Sequence, residues 1–234
     1  ELSARSYEPR PIALGVNTDA YQPEERRLKL TREILKVLSE HNHPVTLITK
    51  SGLIQRDIDL LAPMAEKQLA RVALSVTTLS NDLSRTMEPR AASPKRRLET
   101  IRALSDAGIP VTIMTAPIIP GLNDAELESL LEAGRDAGAQ HAGYVLLRLP
   151  YDLKDIFQEW LVRHFPDRAT RVINTLRSMR GGLDYDANWQ TRQRGEGPFA
   201  KLISTRFHKA VNRLGYDQSR RPFRVDLFKK PEPD

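Results

Sequence analysis

Polar residues capable of chemistry recur along this chain in small groups, each just after a short apolar run. Asn17-Thr18-Asp19-Ala20-Tyr21-Gln22-Pro23-Glu24 follows the first run and Lys50-Ser51 the second. Ser75, Thr77 and Thr78 close the third, with Met87-Glu88-Pro89-Arg90 later in the same connection. Residues 117–124 follow the fourth run, and Arg148 ends the fifth. Together they offer both signs of charge and several hydroxyls, which suits capture of a polar, zwitterionic small molecule. No His accompanies the hydroxyls to make a hydrolase triad. No Gly-rich phosphate loop is present. His41-Asn42-His43 stands before Pro44 and is expected to be a solvated helix end rather than a set of metal ligands. Cysteine is absent altogether. That removes disulfides, Cys-ligated zinc, thiolate catalysis and a self-contained iron–sulfur site. The residues alone support a binding site whose chemistry is supplied from elsewhere, with no catalytic residue and no metal ligand assigned.

The elements that must position these groups follow from the hydrophobic pattern. Residues 11–16, 45–49, 71–76, 109–114 and 144–149 form short, nearly continuous apolar runs, as parallel strands covered on both faces should. Between them lie stretches with helical spacing: Leu28 to Leu38, Ile54 to Leu61, Leu98 to Leu104 with a stop at Gly108, and 126–138. The strands follow one another at roughly 30 residues, the length of a βα unit. In such architectures the site lies at the carboxyl ends of the strands, where the polar groups stand. From residue 151 the pattern turns helical, with segments over 155–165, 169–179 and 199–214.

The net charge of +6 is unevenly placed. Residues 1–150 balance acid and base, so the whole excess falls in 151–234. Arg192, Arg194, Lys201, Arg206, Lys209, Arg213, Arg220, Arg221 and Arg224 are candidates to meet phosphate there. Trp189 is a candidate to stack on bases, whereas Phe199 suits the core. No apolar run reaches membrane-spanning length, and from the polar start no signal peptide is expected. A soluble, cytoplasmic protein is expected. The first residue is Glu1 rather than Met, so the chain is expected to be part of a longer protein.

The loop sequences resemble the radical S-adenosylmethionine (radical SAM) family, in its branch similar to spore photoproduct lyase and DNA repair photolyase-like proteins. Thr18-Asp19-Ala20-Tyr21-Gln22-Pro23 with Glu24-Glu25 is similar to that branch's Thr-Asp-x-Tyr-Gln-Pro-x-Glu signature. Glu88-Pro89-Arg90, Lys95-Arg96-Arg97 and Ala107-Gly108-Ile109 resemble its Glu-Pro-Arg … Arg … Ala-Gly-Ile passage. Pro117-x-Ile119-x-Gly121-x-x-Asp124 resembles the loose Gly-x-Ile-x-Gly-x-x-Glu motif, with Pro for the first Gly and Asp for the last Glu. The likeness runs from about residue 8 to about residue 215.

The resemblance implies an α/β fold: a partial (β/α)6 TIM-like barrel missing its first βα unit. Its strands 2 to 6 would occupy 1–150, and a basic helical extension 151–234. It implies S-adenosyl-L-methionine and a [4Fe-4S] cluster whose Cys-x-x-x-Cys-x-x-Cys ligands are expected upstream of residue 1. Asn17, Thr18 and Asp19 would face the methionine end of the cofactor, and Ser75 and Thr77 its ribose or carboxylate. Arg90 would pair with the carboxylate, and Ile119 and Gly121 would border adenine. Lys50 and Arg148 would face cofactor or substrate. Flavodoxin or ferredoxin would donate the electron. In spore photoproduct lyase a cysteine is thought to return hydrogen to the product radical. This chain has none, so that reaction is not expected, and Tyr144 is the candidate substitute. The leading reading is a radical SAM enzyme acting on nucleic acid, as a repair-like lyase, inactive as this fragment alone. The alternatives are a cluster-less barrel that binds a nucleotide or nucleic acid, and an aldolase-like lyase using Lys50 as a Schiff base.

Overall fold

The computed structural model describes residues 2–183, 193–219 and 221–231. Trp189, Arg192 and Arg220 lie outside the described residues. The chain runs β1 (Ile12–Leu14), α1 (Glu25–Leu28), α2 (Leu30–Glu40), β2 (Val45–Thr49), α3 (Ile58–Glu66) and β3 (Ala70–Ser75). It continues through α4 (Asn81–Met87), α5 (Pro94–Asp106), β4 (Val111–Ile118), α6 (Leu127–Asp136) and β5 (His141–Leu146). The last helices are α7 (Leu153–His164), α8 (Pro166–Ser178) and α9 (Gly197–Arg213). Among the described residues the strands form one parallel sheet in the order β1-β2-β3-β4-β5. This is the expected α/β half-barrel, each helix returning the chain to the start of the next strand.

The sheet corrects one expectation. The strands are not covered equally on both faces. Val45, Leu47, Val72, Leu74, Val111 and Ile113 are buried, while the alternate residues Thr46, Ile48, Ala73, Thr112 and Met114 are only half-buried. One face packs on Leu35, Leu61, Ile101, Leu104 and Leu131 of the helices. The other face is less covered. A half-barrel does not close on itself, so its inner face lacks the opposing strands that a full barrel would bring. α6 lies close on β4: a Cβ on Gly134 would stand 2.4 Å from Ile113 Cδ1.

α9 is fastened to α6 by Arg206 on Glu128 (2.8 and 2.5 Å) and Arg213 on Glu132 (2.7 Å). Phe207 packs on Tyr144 at 4.7 Å between ring centres. Beyond α9 the chain runs beneath the amino ends of the strands. Asp217 N donates to Gln140 O (2.9 Å), Arg224 N to Gln68 O (3.3 Å) and Lys229 N to His41 O (2.8 Å). There Phe228 meets the edge of His43 at 5.4 Å. His43 is fully buried, not the solvated helix end expected from its neighbourhood. Its Nδ1 lies 3.0 Å from Pro44 O, so that nitrogen carries the proton and Nε2 accepts from Tyr7 Oη at 2.7 Å. A long-range contact with the amino-terminal segment buries it, which local spacing cannot signal. Among the described residues, no helix is long and apolar enough to cross a membrane.

Candidate functional site

The loop after β1 is shaped by Gly15 (φ 88°), where a Cβ would come within 2.0 Å of the Ile48 carbonyl oxygen. Only glycine permits both this backbone and this approach. Asn17 and Thr18 follow, exposed, and Asp19 then turns back to the sheet. Its carboxylate accepts from Thr49 Oγ1 (2.6 Å), Tyr21 N (2.9 Å) and Lys50 N (2.8 Å). Asp19 thus pins the first loop to the end of β2.

The Tyr and Glu of the signature anchor the same loop from beneath. Tyr21 Oη donates to the fully buried Asp57 (3.1 Å). Asp57 also receives Arg32 (2.7 Å) and Arg56 (2.9 Å), and Arg56 continues to Glu25 at 2.7 Å. Burial alone would push the Asp57 carboxyl up, but Arg56 and Arg32 hold it below its ordinary value. Tyr21 is pushed upward by burial and by the Asp57 charge. Such a network is stable only because each buried charge has partners.

Glu88 joins the second loop to the third. One carboxylate oxygen accepts from Lys50 Nζ, the other from Arg97 Nη2 (2.7 Å) and Thr77 Oγ1 (3.1 Å). Arg97, 1% exposed, also donates to Ala92 O (2.8 Å) and Ser75 O (3.1 Å). Burial opposes the Glu88 charge, yet Lys50 and Arg97 outweigh it and hold the carboxyl below the usual range. Ser75 is buried on the inner face, level with Met114 of β4.

The loop after β4 is closed on itself. Asn123 donates to Thr77 O (2.7 Å) and Pro117 O (2.9 Å) and accepts from Ile119 N (2.6 Å). Gly121 N donates to Asp124 Oδ1 at 2.6 Å. The amides of Ile119 and Gly121 are therefore occupied, and Ile119 is fully buried. Arg148 lies half-buried just beyond β5.

Of the anticipated site residues, Asp19, Lys50 and Arg90 line one cleft of about 1060 Å³, shared with Tyr21, Gln22, Arg26, Gln55 and Arg96. Ser75 and Thr77 adjoin it through Arg97 and Glu88. Asn17, Thr18, Ile119, Gly121 and Arg148 are not on its walls. Sequence reasoning did not single out Glu88, Arg97 and Asn123, which tie the loops at this end of the sheet together. The first two stood in quoted motifs, but only the fold brings Glu88 against Lys50. The described residues contain no group of three His, Cys, Asp or Glu able to hold a metal.

The Radical SAM superfamily model matches residues 4–134. The uncharacterized protein Rv2578c of Mycobacterium tuberculosis is 34% identical over 173 residues, covering 73% of this chain and 51% of that protein. The uncharacterized protein MJ0683 of Methanocaldococcus jannaschii is 34% identical over 115 residues, 49% of this chain and 43% of that protein. The chain thus spans about half the length of its mycobacterial relative. Among solved structures, a spore photoproduct lyase variant with bound AdoMet and dinucleoside spore photoproduct superposes with TM-score 0.56 at 14% identity. The match covers 90% of this chain and 60% of that one, and at this identity it concerns the fold.

Proposed function

The chain belongs to the Radical SAM superfamily, and on that premise we propose that it forms the S-adenosyl-L-methionine-binding wall of a radical SAM enzyme acting on nucleic acid as a repair-like lyase. The observation that carries this reading is the cleft where Asp19, Lys50 and Arg90 meet beside the Glu88–Arg97–Thr77 cluster. The donor set suits a zwitterion. Arg90 and Lys50 offer cations to a carboxylate, and the Glu88 carboxylate, which holds Lys50 and Arg97, lies beside them. Asp19 holds the loop that carries Asn17 and Thr18, and Ser75 and Thr77 supply hydroxyl groups from β3. Ile119 and Gly121 belong to the same reading as the adenine side, and Arg148 as a group facing cofactor or substrate. With their amides occupied, Ile119 and Gly121 would meet a base through apolar surface or carbonyl oxygens.

In this superfamily, S-adenosylmethionine cleaved at a reduced [4Fe-4S] cluster supplies a 5′-deoxyadenosyl radical. This chain contains no cysteine, so its residues do not fit the cluster. What the chain itself does is bind, orient and screen. The buried Glu88–Arg97 pair fixes the direction of the Lys50 ammonium and the Thr77 hydroxyl before any ligand arrives. An aldolase-like role for Lys50 gains nothing from this geometry, because its ammonium is held by a carboxylate.

Calorimetric titration with S-adenosylhomocysteine tests the reading. Saturable binding is expected, weakened at least about tenfold in Arg90→Ala, as loss of a charge-assisted contact predicts. Absence of binding to both this chain and the full-length protein would refute it.

A further inference from the structure

The sequence places its excess of basic charge in the last third of the chain, but the structure shows that much of it is used internally. Arg206, Arg213 and Arg224 pair with Glu128, Glu132 and Asp226. Other cations without an acidic partner stand within residues 1–150, whose formal charge is balanced. Arg26 and Arg90 are exposed on the cleft, and among the described residues neither has an acidic partner. Arg96, on the same cleft, reaches only the surface Glu99 at 3.4 Å. The acid on the cleft wall, Asp19, is already engaged by Thr49, Tyr21 N and Lys50 N.

We propose that Arg26 and Arg96, on the outer wall of this cleft, hold the phosphodiester backbone of a nucleic-acid substrate. The inference rests on the reading above for the inner wall and names the surface that meets the substrate. A zwitterionic cofactor has one carboxylate and neutralises one guanidinium, which Arg90 provides. Two further guanidinium groups call for a polyanion. Arginine presents a planar fork that matches phosphate oxygens, and the Gln22 amide on the same cleft adds a neutral donor. A concave cleft of about 1060 Å³ accepts a slender strand more readily than the convex surface of an acidic protein. The exposed lysines of α9, Lys201 and Lys209, are the rival surface.

The test is fluorescence anisotropy of a labelled single-stranded oligonucleotide on the full-length protein, across a salt series. The double variant R26A/R96A is expected to bind about tenfold more weakly, with the salt slope reduced by about two, one per phosphate contact. R26K/R96K should recover part of the affinity and most of the slope. K201A/K209A should bind like the parent. Unchanged affinity in R26A/R96A, loss in K201A/K209A instead, or no oligonucleotide binding by the parent would each overturn the inference. So would equal competition by inorganic phosphate, which marks a small-anion site, or displacement by an acidic protein but not by unlabelled oligonucleotide. S-adenosylhomocysteine titration of the same variants separates the two readings. Retained analogue binding with lost oligonucleotide binding in R26A/R96A supports both, whereas oligonucleotide binding by the parent without analogue binding, still lost in R26A/R96A, refutes only the cofactor reading.

Discussion

Replacing Glu88 by Gln removes the one carboxylate that serves Lys50, Arg97 and Thr77 together. The two ion pairs it makes are unequal. Arg97 is 1% exposed, so the substitution leaves a buried guanidinium with neutral acceptors only, the carbonyls of Ala92 and Ser75 and the Thr77 hydroxyl. Breaking a buried pair from one side costs about 3–5 kcal/mol. The amide oxygen of Gln can still accept one hydrogen bond, which places E88Q near the lower end. For a chain of this size about 3 kcal/mol corresponds to a fall in Tm of roughly 6–12 °C. Lys50 is a third exposed and can turn to water, so Lys50→Gln should cost about 1 kcal/mol or less. Thermal and urea unfolding of the two variants against the parent provide the comparison. The sign of the pH dependence is also determined. The folded-state pKa of Glu88 lies below its ordinary value, so its contribution is complete above that value and fades as pH falls through the folded one. The gap between parent and E88Q should therefore narrow under acid. Equal losses in E88Q and K50Q, or a gap that persists at low pH, would refute the assignment of Glu88 as the organising charge.

Gly15→Ala should destabilise the protein by several kcal/mol, since it combines a positive φ with a contact at 2.0 Å to the Ile48 carbonyl oxygen. A melting temperature within about 2 °C of the parent, less than 1 kcal/mol on the same scale, would contradict this. Burial depresses the pKa of His43, so the folded state favours neutral imidazole and stability should be lost as pH falls through the ordinary histidine value. His43→Gln should flatten that loss in urea denaturation at pH 7.5 and 5.5, and an unaltered pH dependence would exclude His43 as its source.

The α/β rhythm was legible because strands and helices differ in the period of their apolar residues, and that period is local. Val45 to Thr49 could be recognised as a strand, and the fall of the polar groups at strand ends followed from it. The motif around Asp19 to Glu25 was visible as well, but its division of labour was not. Asp19, Tyr21 and Glu25 brace one loop, through partners up to 36 residues away. The strand faces were misjudged because an apolar run looks the same whether or not an opposing strand covers its second face. The burial of His43 depends on Tyr7 and Phe228, which lie at opposite ends of the chain. Net charge alone does not locate a binding surface. A formal excess is a property of composition, whereas an available charge is one that the fold has left without a partner. The sequence by itself determined the architecture and placed the polar groups at one end of the sheet. Tertiary structure decided which charges are spent on holding that end together and which, like Arg26 and Arg90, still face the cleft, because pairing depends on proximity between residues far apart along the chain.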